Sequence, residues 1–333
     1  MRFRPPRCPY PDCTSRLQRS FPHRLHGRYR RECDGRWVQR FFCLACSRTF
    51  SIQSFRLDYR LRKPHLHLQL MGLFASKVTH RQSARVLSCT RRTVARRLEL
   101  LGRHCHAFHR RMLERVRNRG GISGRFQLDE LETFEHNRRL APVTMPFLIG
   151  RRSYFILDLK TATLPCRGGL SASDRQKKEE RERLQGKRKS GSRQAVAECF
   201  QTLSEVHVPS GSVAVETDRK TSYVATLQQL FGERLLHSRI LSRVRRNYEN
   251  PLFPINHTLA MARDGVSRLV RRNWGASKKR ERLEWHAWIW AAWRNYVRGI
   301  TNEAPKVTPA MVAGAAARRW SVPQMCAWRV FEA

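Results

Sequence analysis

Between Leu66 and Leu101 the apolar residues recur at helical spacing. Leu66, Leu70, Leu73 and Phe74 form one i, i+4, i+7, i+8 stripe, Ala84 and Leu87 belong to a short second helix, and Val94, Leu98 and Leu101 form a third stripe. Thr79 stands where it would cap the second helix, and Ser88-Cys89-Thr90 supplies a tight turn before the third. After Gly120-Gly121 the period changes to that of strands. In the run from 124 to 133, Phe126 and Leu128 fall on one face while Gln127 and Asp129 fall on the other. The runs 143–149 and 154–159 follow closely, so the three read as an antiparallel meander. Residues 167–193 have no apolar period and read as a solvated helix or a mobile loop. Beyond them the pattern predicts a helix over 194–204, a strand over 213–218, a helix over 222–231 and a strand over 234–237. A later helix carries Trp285, Ile289, Trp293 and Tyr296 at core spacing.

The 333 residues suffice for two or three domains, and a hydrophobic content of 41% can bury a core. Charge adds a partner class. Lys and Arg number 66 against 26 Asp and Glu, a formal net charge of +40 spread along patterned, foldable sequence. That excess points to a polyanion, double-stranded DNA before a membrane surface. No run of 18 apolar residues occurs, and Pro5, Pro6 and Cys8 occupy the stretch where a signal peptide needs an apolar core. The expectation is a soluble protein of the cytoplasm, at the bacterial nucleoid, whose ten cysteines are reduced or bound to metal.

Four of those cysteines are paired: Cys8-x4-Cys13 and Cys43-Leu44-Ala45-Cys46, with 29 residues between the pairs. Two knuckles separated by a hairpin's length of chain supply four thiolates for a structural zinc, and Arg36 to Phe42 leads into the second knuckle as a strand would, giving a zinc ribbon. Cys33 lies outside both knuckles.

The three helices have a helix-turn-helix outline. Arg91, Arg92, Thr93, Arg96 and Arg97 stand in the N-terminal part of the third helix, where a recognition helix meets the major groove. His65-Leu66-His67 matches the His-apolar-His pair of tyrosine-using nucleases. That pair needs a strand, however, and a helix turns the two histidines apart.

Asp129 and Asp218 each stand at or near the end of a predicted strand, an arrangement that can bring two carboxylates to one sheet edge. The order of three strands, helix, strand, helix, strand is that of an α/β, ribonuclease-H-like mixed sheet with flanking helices, in which the first and fourth strands are neighbours. A zinc ribbon, a helix-turn-helix and such a sheet with two aspartates together resemble the bacterial insertion-sequence transposases of the Asp-Asp-Glu type. The resemblance implies a zinc ribbon over 1–56, a DNA-binding helical domain over 57–118, a catalytic domain over 119–300 and a tail over 301–333. It implies magnesium or manganese on Asp129 and Asp218, cleavage and strand transfer at element ends and in target DNA, and a homo-oligomer on that DNA. The family's third ligand is a glutamate followed by a basic run. Here Asn256 stands in its place, 38 residues after Asp218, with Arg268, Arg271 and Arg272 beyond it and Glu249 and Asp264 as nearby acidic residues. An amide oxygen can ligate magnesium but brings no charge and cannot act as a base. The alternative is a catalytically decayed transposase that acts as a sequence-specific DNA-binding protein.

Overall fold

The computed structural model describes residues 3–18, 21–241, 243–245, 247–270, 275 and 277–329. Arg271 and Arg272 lie outside the described residues. The chain forms two compact units, 1–69 with 323–333 and 70–322.

The smaller unit is built on an antiparallel sheet of β1 (His23–Arg30), β2 (Trp37–Cys43) and β3 (Thr49–Ser51). Arg24 pairs with Phe42 and Arg30 with Trp37, a bulge falls between Leu25 and Arg28, and Phe41 pairs with Phe50 on the other side of β2. One face collects Phe21, Phe41, Phe50 and Phe55 around the cysteines. So few apolar side chains make a marginal core by themselves. The unit also buries Asp58, which takes Arg31 at 2.6 Å and Arg56 at 2.9 Å. Burial alone would raise this carboxyl, yet those two guanidinium groups hold it down at about 2.

Helix α1 (Leu66–Ala75) carries the chain from one unit to the other and contains His67, so the two histidines at 65 and 67 do not share a strand face. In the larger unit, α2 (His80–Val86) is capped by Thr79, whose hydroxyl accepts from the Gln82 backbone while Gln82 reaches back to the Thr79 N–H. Helix α3 (Arg91–Arg117) is capped by Thr90 and runs for 27 residues. The sequence reading stopped its stripe at Leu101, but Cys105, Phe108, Met112 and Val116 continue the buried side. The sheet comprises β4 (Arg125–Phe134), β5 (Pro142–Gly150), β6 (Ile156–Leu159), β7 (Ala162–Thr163), β8 (Val213–Asp218) and β9 (Leu235–Ile240). Between β7 and β8 come α4 (Ala172–Gln185), an exposed helix with no buried residue, and α5 (Ser192–Val206). Helix α6 (Ser222–Phe231) precedes β9, and α7 (Phe253–Gly265), α8 (Arg280–Tyr296), α9 (Pro309–Val312) and α10 (Val322–Ala327) complete the chain.

The strand order is β6-β5-β4-β8-β9, with β7 also on β5. Strands β4 and β5 are antiparallel, while β4 runs parallel to β8 and β8 to β9; with the two-residue β7 counted, β8 is the fifth strand of the sheet in chain order and the neighbour of the first. Every residue of β5 is buried, as expected of a strand covered on both faces. Pro146 is tolerated there because its missing N–H falls at the gap between β7, which pairs with Val143 and Thr144, and β6, whose last residue, Leu159, lies opposite Phe147. The third strand starts at Ile156 rather than Tyr154, because Tyr154 takes a left-handed φ of 55° and breaks the run.

Helices α7 and α8 pack on the face of the sheet formed by Leu131, Val143, Met145, Phe147 and Ile149. Helix α5 lies on the opposite face with α6 beside it. Helix α3 packs along α8, and at Gly102 the two approach so closely that an added Cβ would sit 2.4 Å from that of Trp285. His109 ties α3 to both neighbours, with Nδ1 at 2.9 Å from the Tyr296 hydroxyl and Nε2 at 2.8 Å from the Leu157 carbonyl. Burial pushes its imidazole down to about 4, so it is neutral in this role at physiological pH.

Candidate metal centre and carboxylate seam

The ligand atoms of Cys8, Cys13, Cys43 and Cys46 lie within 4.8 Å of one another. Cys8 Sγ is 3.7 Å from Cys46 Sγ, and Cys13 Sγ is 3.7 Å from Cys43 Sγ. Sulfurs 2.3 Å from a tetrahedral zinc are about 3.8 Å apart, whereas a disulfide would bring them to about 2.0 Å. The four cysteines therefore have the spacing of a set that could hold a zinc ion. Arg48 supports it: the guanidinium lies over the Tyr10 ring at 4.1 Å, pairs with Asp12 at 2.8 Å and donates from Nε to Cys46 Sγ at 3.5 Å. Against the desolvation that burial imposes, this donor and the Arg48 backbone N–H bring the Cys46 thiol down to about 6, favouring the thiolate. Cys33 is exposed and belongs to no such group.

The second site lies on the β4–β8 seam. Phe126 pairs with Val215 and Gln127 with Glu216 in the parallel ladder. The ladder ends at that pair, and Asp129 and Asp218 each lie two residues beyond it, on the strand face that carries Gln127 and Glu216. That face also carries α7. Gln127 Oε1 accepts the Ile255 backbone N–H at 3.0 Å, while its Nε2 donates to Glu216 Oε2 at 2.7 Å and to the Pro251 carbonyl at 2.6 Å. One amide thus fastens the first turn of α7 to the seam and fixes the backbone at Asn256, the next residue. Farther along, Arg263 Nη2 donates to the Glu132 carbonyl at 3.2 Å, so α7 and β4 run in the same direction.

Two backbone hydrogen bonds orient the aspartates. The Glu130 N–H donates to Asp129 Oδ1 at 2.7 Å, and the Lys220 N–H donates to Asp218 Oδ1 at 3.1 Å. The side chains of those same two donors meet on the other face, where Lys220 pairs with Glu130 and also reaches Ser192 Oγ at 3.0 Å. Glu130 further accepts from Thr144 at 2.7 Å, Ser192 at 2.8 Å and Tyr223 at 2.8 Å. Glu130 is thus held as the carboxylate, its pKa lowered by Lys220 and these hydroxyls despite desolvation. Among the described residues, the cysteine set is the one group of three or more His, Cys, Asp or Glu close enough to share an ion. Among the described residues, no third His, Cys, Asp or Glu joins Asp129 and Asp218 at ion-sharing distance. Glu216 is on the same face but is engaged by Arg151 at 2.8 Å and Arg125 at 3.2 Å. Glu249 and Asp264 are exposed and engaged by Asn247 and Lys77 respectively.

No known protein family, curated protein or solved structure matches this chain.

The basic residues divide by exposure. Arg91, Arg92 and Arg96 are exposed at the start of α3, and Thr93 is partly engaged with the Thr90 cap. Arg97 is a correction to the sequence reading. Only 7% exposed, it lies three residues after Val94 on the buried side of the helix and is not positioned to reach DNA. Arg91 and Arg92 face a cleft of about 920 Å³ shared with His80, Arg81, Arg268 and Lys278. Arg268 donates to Ser277 Oγ at 3.1 Å and lies 3.2 Å from His80 Nε2; burial pushes its guanidinium down to about 10.

Sequence reasoning missed Gln127, Glu130 and Lys220. The available signal was the polar residue inside the apolar alternation of β4, at the position before Leu128. Gln127→Met is expected to leave the Glu216 carboxylate, the Pro251 carbonyl and the Ile255 N–H short of a partner, at about 1–3 kcal/mol for each unsatisfied group that stays dry. Urea unfolding should show a loss of about 2–4 kcal/mol relative to the parent protein. A midpoint within error of the parent would mean that the amide does not hold α7.

Proposed function

We propose that this protein is a DNA transposase of the Asp-Asp-Glu, ribonuclease-H-like type, with Asn256 in the place of the glutamate. The observation that supports the reading is the seam itself: neighbouring parallel strands that each carry an aspartate two residues beyond their last paired rung, with the first turn of α7 fastened to that rung by Gln127. Two carboxylates and an amide are hard oxygen donors of the kind magnesium or manganese takes. Bound there, such ions supply Lewis-acid activation of a water and then of a 3′ hydroxyl for in-line attack on phosphodiesters. Asp129 and Asp218 hold the ions, and the Glu130 and Lys220 backbone N–H groups keep both carboxylates aimed. The α2–α3 segment serves as the helix-turn-helix that reads element ends through Arg91, Arg92 and Arg96, with Arg268 beside it, and the four-cysteine unit acts as a zinc ribbon.

Asn256 favours a second reading, a decayed transposase that binds DNA without cutting it. Both are tested by incubating the full-length protein with a plasmid carrying the DNA that flanks its gene. The proposed enzyme nicks or cuts at the element ends in magnesium or manganese, leaves 3′ hydroxyls, and is stopped by EDTA. Specific binding without cutting in either ion selects the decayed form. Absence of both binding and cutting sinks both readings.

A further inference from the structure

Beyond Asp129, strand β4 and helix α7 lead to an open groove of about 610 Å³ whose lining includes Glu132, Thr133, Arg138, Arg139, Arg167 and Arg263. Thr133 is four residues from Asp129 on the same face, a distance of about 13 Å. Arg263 is seven residues from Asn256, two helical turns of about 5.4 Å that return it to the same side of α7. Contacts of α7 with Gln127 near one end and Glu132 near the other show that the two displacements point the same way. The groove therefore continues the seam in one direction.

Its charge is one-sided: four guanidinium groups line it against the single carboxylate of Glu132. Arg167 binds that carboxylate through both oxygens, at 2.6 and 2.7 Å. Arg139 has only a carbonyl partner, that of Gly169 at 2.9 Å, and Arg138 is exposed with no ion-pair partner among the described residues. The loop that carries them is pre-formed. Asn137 Oδ1 accepts from the Arg139 N–H at 2.8 Å and the Leu140 N–H at 3.1 Å, and the Arg167 N–H donates to the Arg139 carbonyl at 3.2 Å. Uncompensated arginines on a fixed loop carry an electrostatic cost that an anionic ligand relieves.

We propose that this groove is a phosphodiester channel, holding the DNA strand that leaves the Asp129–Asp218 seam along β4. The assignment of the seam end of that path rests on the transposase reading. The charge of the groove does not. A length of about 13 Å covers roughly four steps of duplex axis at about 3.4 Å each, so more than one phosphate of the strand falls along the groove.

The test measures binding of the full-length protein to a fluorescent duplex across a salt series, in EDTA so that no chemistry intervenes. Arg138→Ala/Arg139→Ala should weaken binding about tenfold at 0.1 M salt and lower the slope of log K against log salt by about 1.8, or about 0.9 per phosphate contact removed. Both side chains are exposed, so the unfolding midpoint should stay at the parent value. Arg117→Ala/Arg119→Ala, which removes two exposed arginines just before the other end of β4, should move the slope far less. An unchanged slope in the groove variant, or an equal fall in both variants, overturns the channel. A groove variant that loses the expected slope in a protein that never cuts DNA keeps the channel and discards the chemistry. A protein that cuts normally and whose slope ignores Arg138 and Arg139 does the reverse.

Discussion

Cys13→Ser, or prolonged chelation, is expected to unfold residues 1–69 of this protein. The physical reason is the small size of the apolar core there: Phe21, Phe41, Phe50 and Phe55 surround the four thiols, and β1 is exposed along nearly its whole length. A structural zinc in such a unit contributes about 10–16 kcal/mol of apparent binding free energy, and folding depends on it because the unfolded chain holds no preformed site. Native mass measurement should find about one zinc per chain, falling to none in Cys13→Ser. Limited proteolysis should then cut within 1–69 while fragments of 70–322 persist. Protection of residues 1–69 after the metal has gone would show that the aromatic core suffices and that the cysteine spacing has another cause.

The second large effect is on catalysis. On the proposed function, Asp129→Asn removes one of two charged ligands and should reduce strand cleavage by at least a thousandfold, more than about 4 kcal/mol of transition-state stabilisation. DNA affinity measured without divalent ions should stay within about twofold, since the change is isosteric and the Glu130 N–H can still donate to the amide oxygen. Asn256→Glu separates the two readings of the site. A decayed enzyme should gain activity when the charge is restored, and a site adapted to asparagine should lose activity or barely change. Parent-level cleavage by Asp129→Asn would remove the aspartates from the chemistry altogether.

The sequence made most of the element order readable because β5, β6 and β8 are short and largely apolar, while β4 alternates apolar and polar residues; the two-residue β7 carries too short a pattern to read. The neighbouring placement of β4 and β8 agrees with the fold that this order resembles, and it leaves Asp129 and Asp218 each two residues past the last paired rung. The cysteine spacing was legible for a simpler reason: four ligands at two short intervals constrain geometry directly. Side-chain networks were not legible. Gln127 reads as an ordinary polar residue on a strand, and only the fold brings Pro251 and Ile255, more than 120 residues later, onto its two ends. Glu130 and Lys220 lie 90 residues apart and meet because Lys220 stands in the turn just after β8, the neighbour of β4. Arg97 misled because charge suggests exposure, while its spacing from Val94 and Leu98 put it on the buried side.

The length and anchoring of α3 bear on how accurately its exposed arginines are aimed. The helix is clamped at Gly102 against Trp285, and Arg92 lies ten residues toward its N-terminus, beyond the turn where Val94 and Leu98 pack, on an arm of roughly 15 Å. If an alanine at 102 forced the axis to tilt by about 5°, Arg92 would swing by roughly 1.3 Å on an arm of that length, enough to misalign a bidentate hydrogen bond with a base edge while leaving a phosphate contact within reach. A glycine buried far from any nucleic acid would then set the discrimination between sequences rather than the strength of binding.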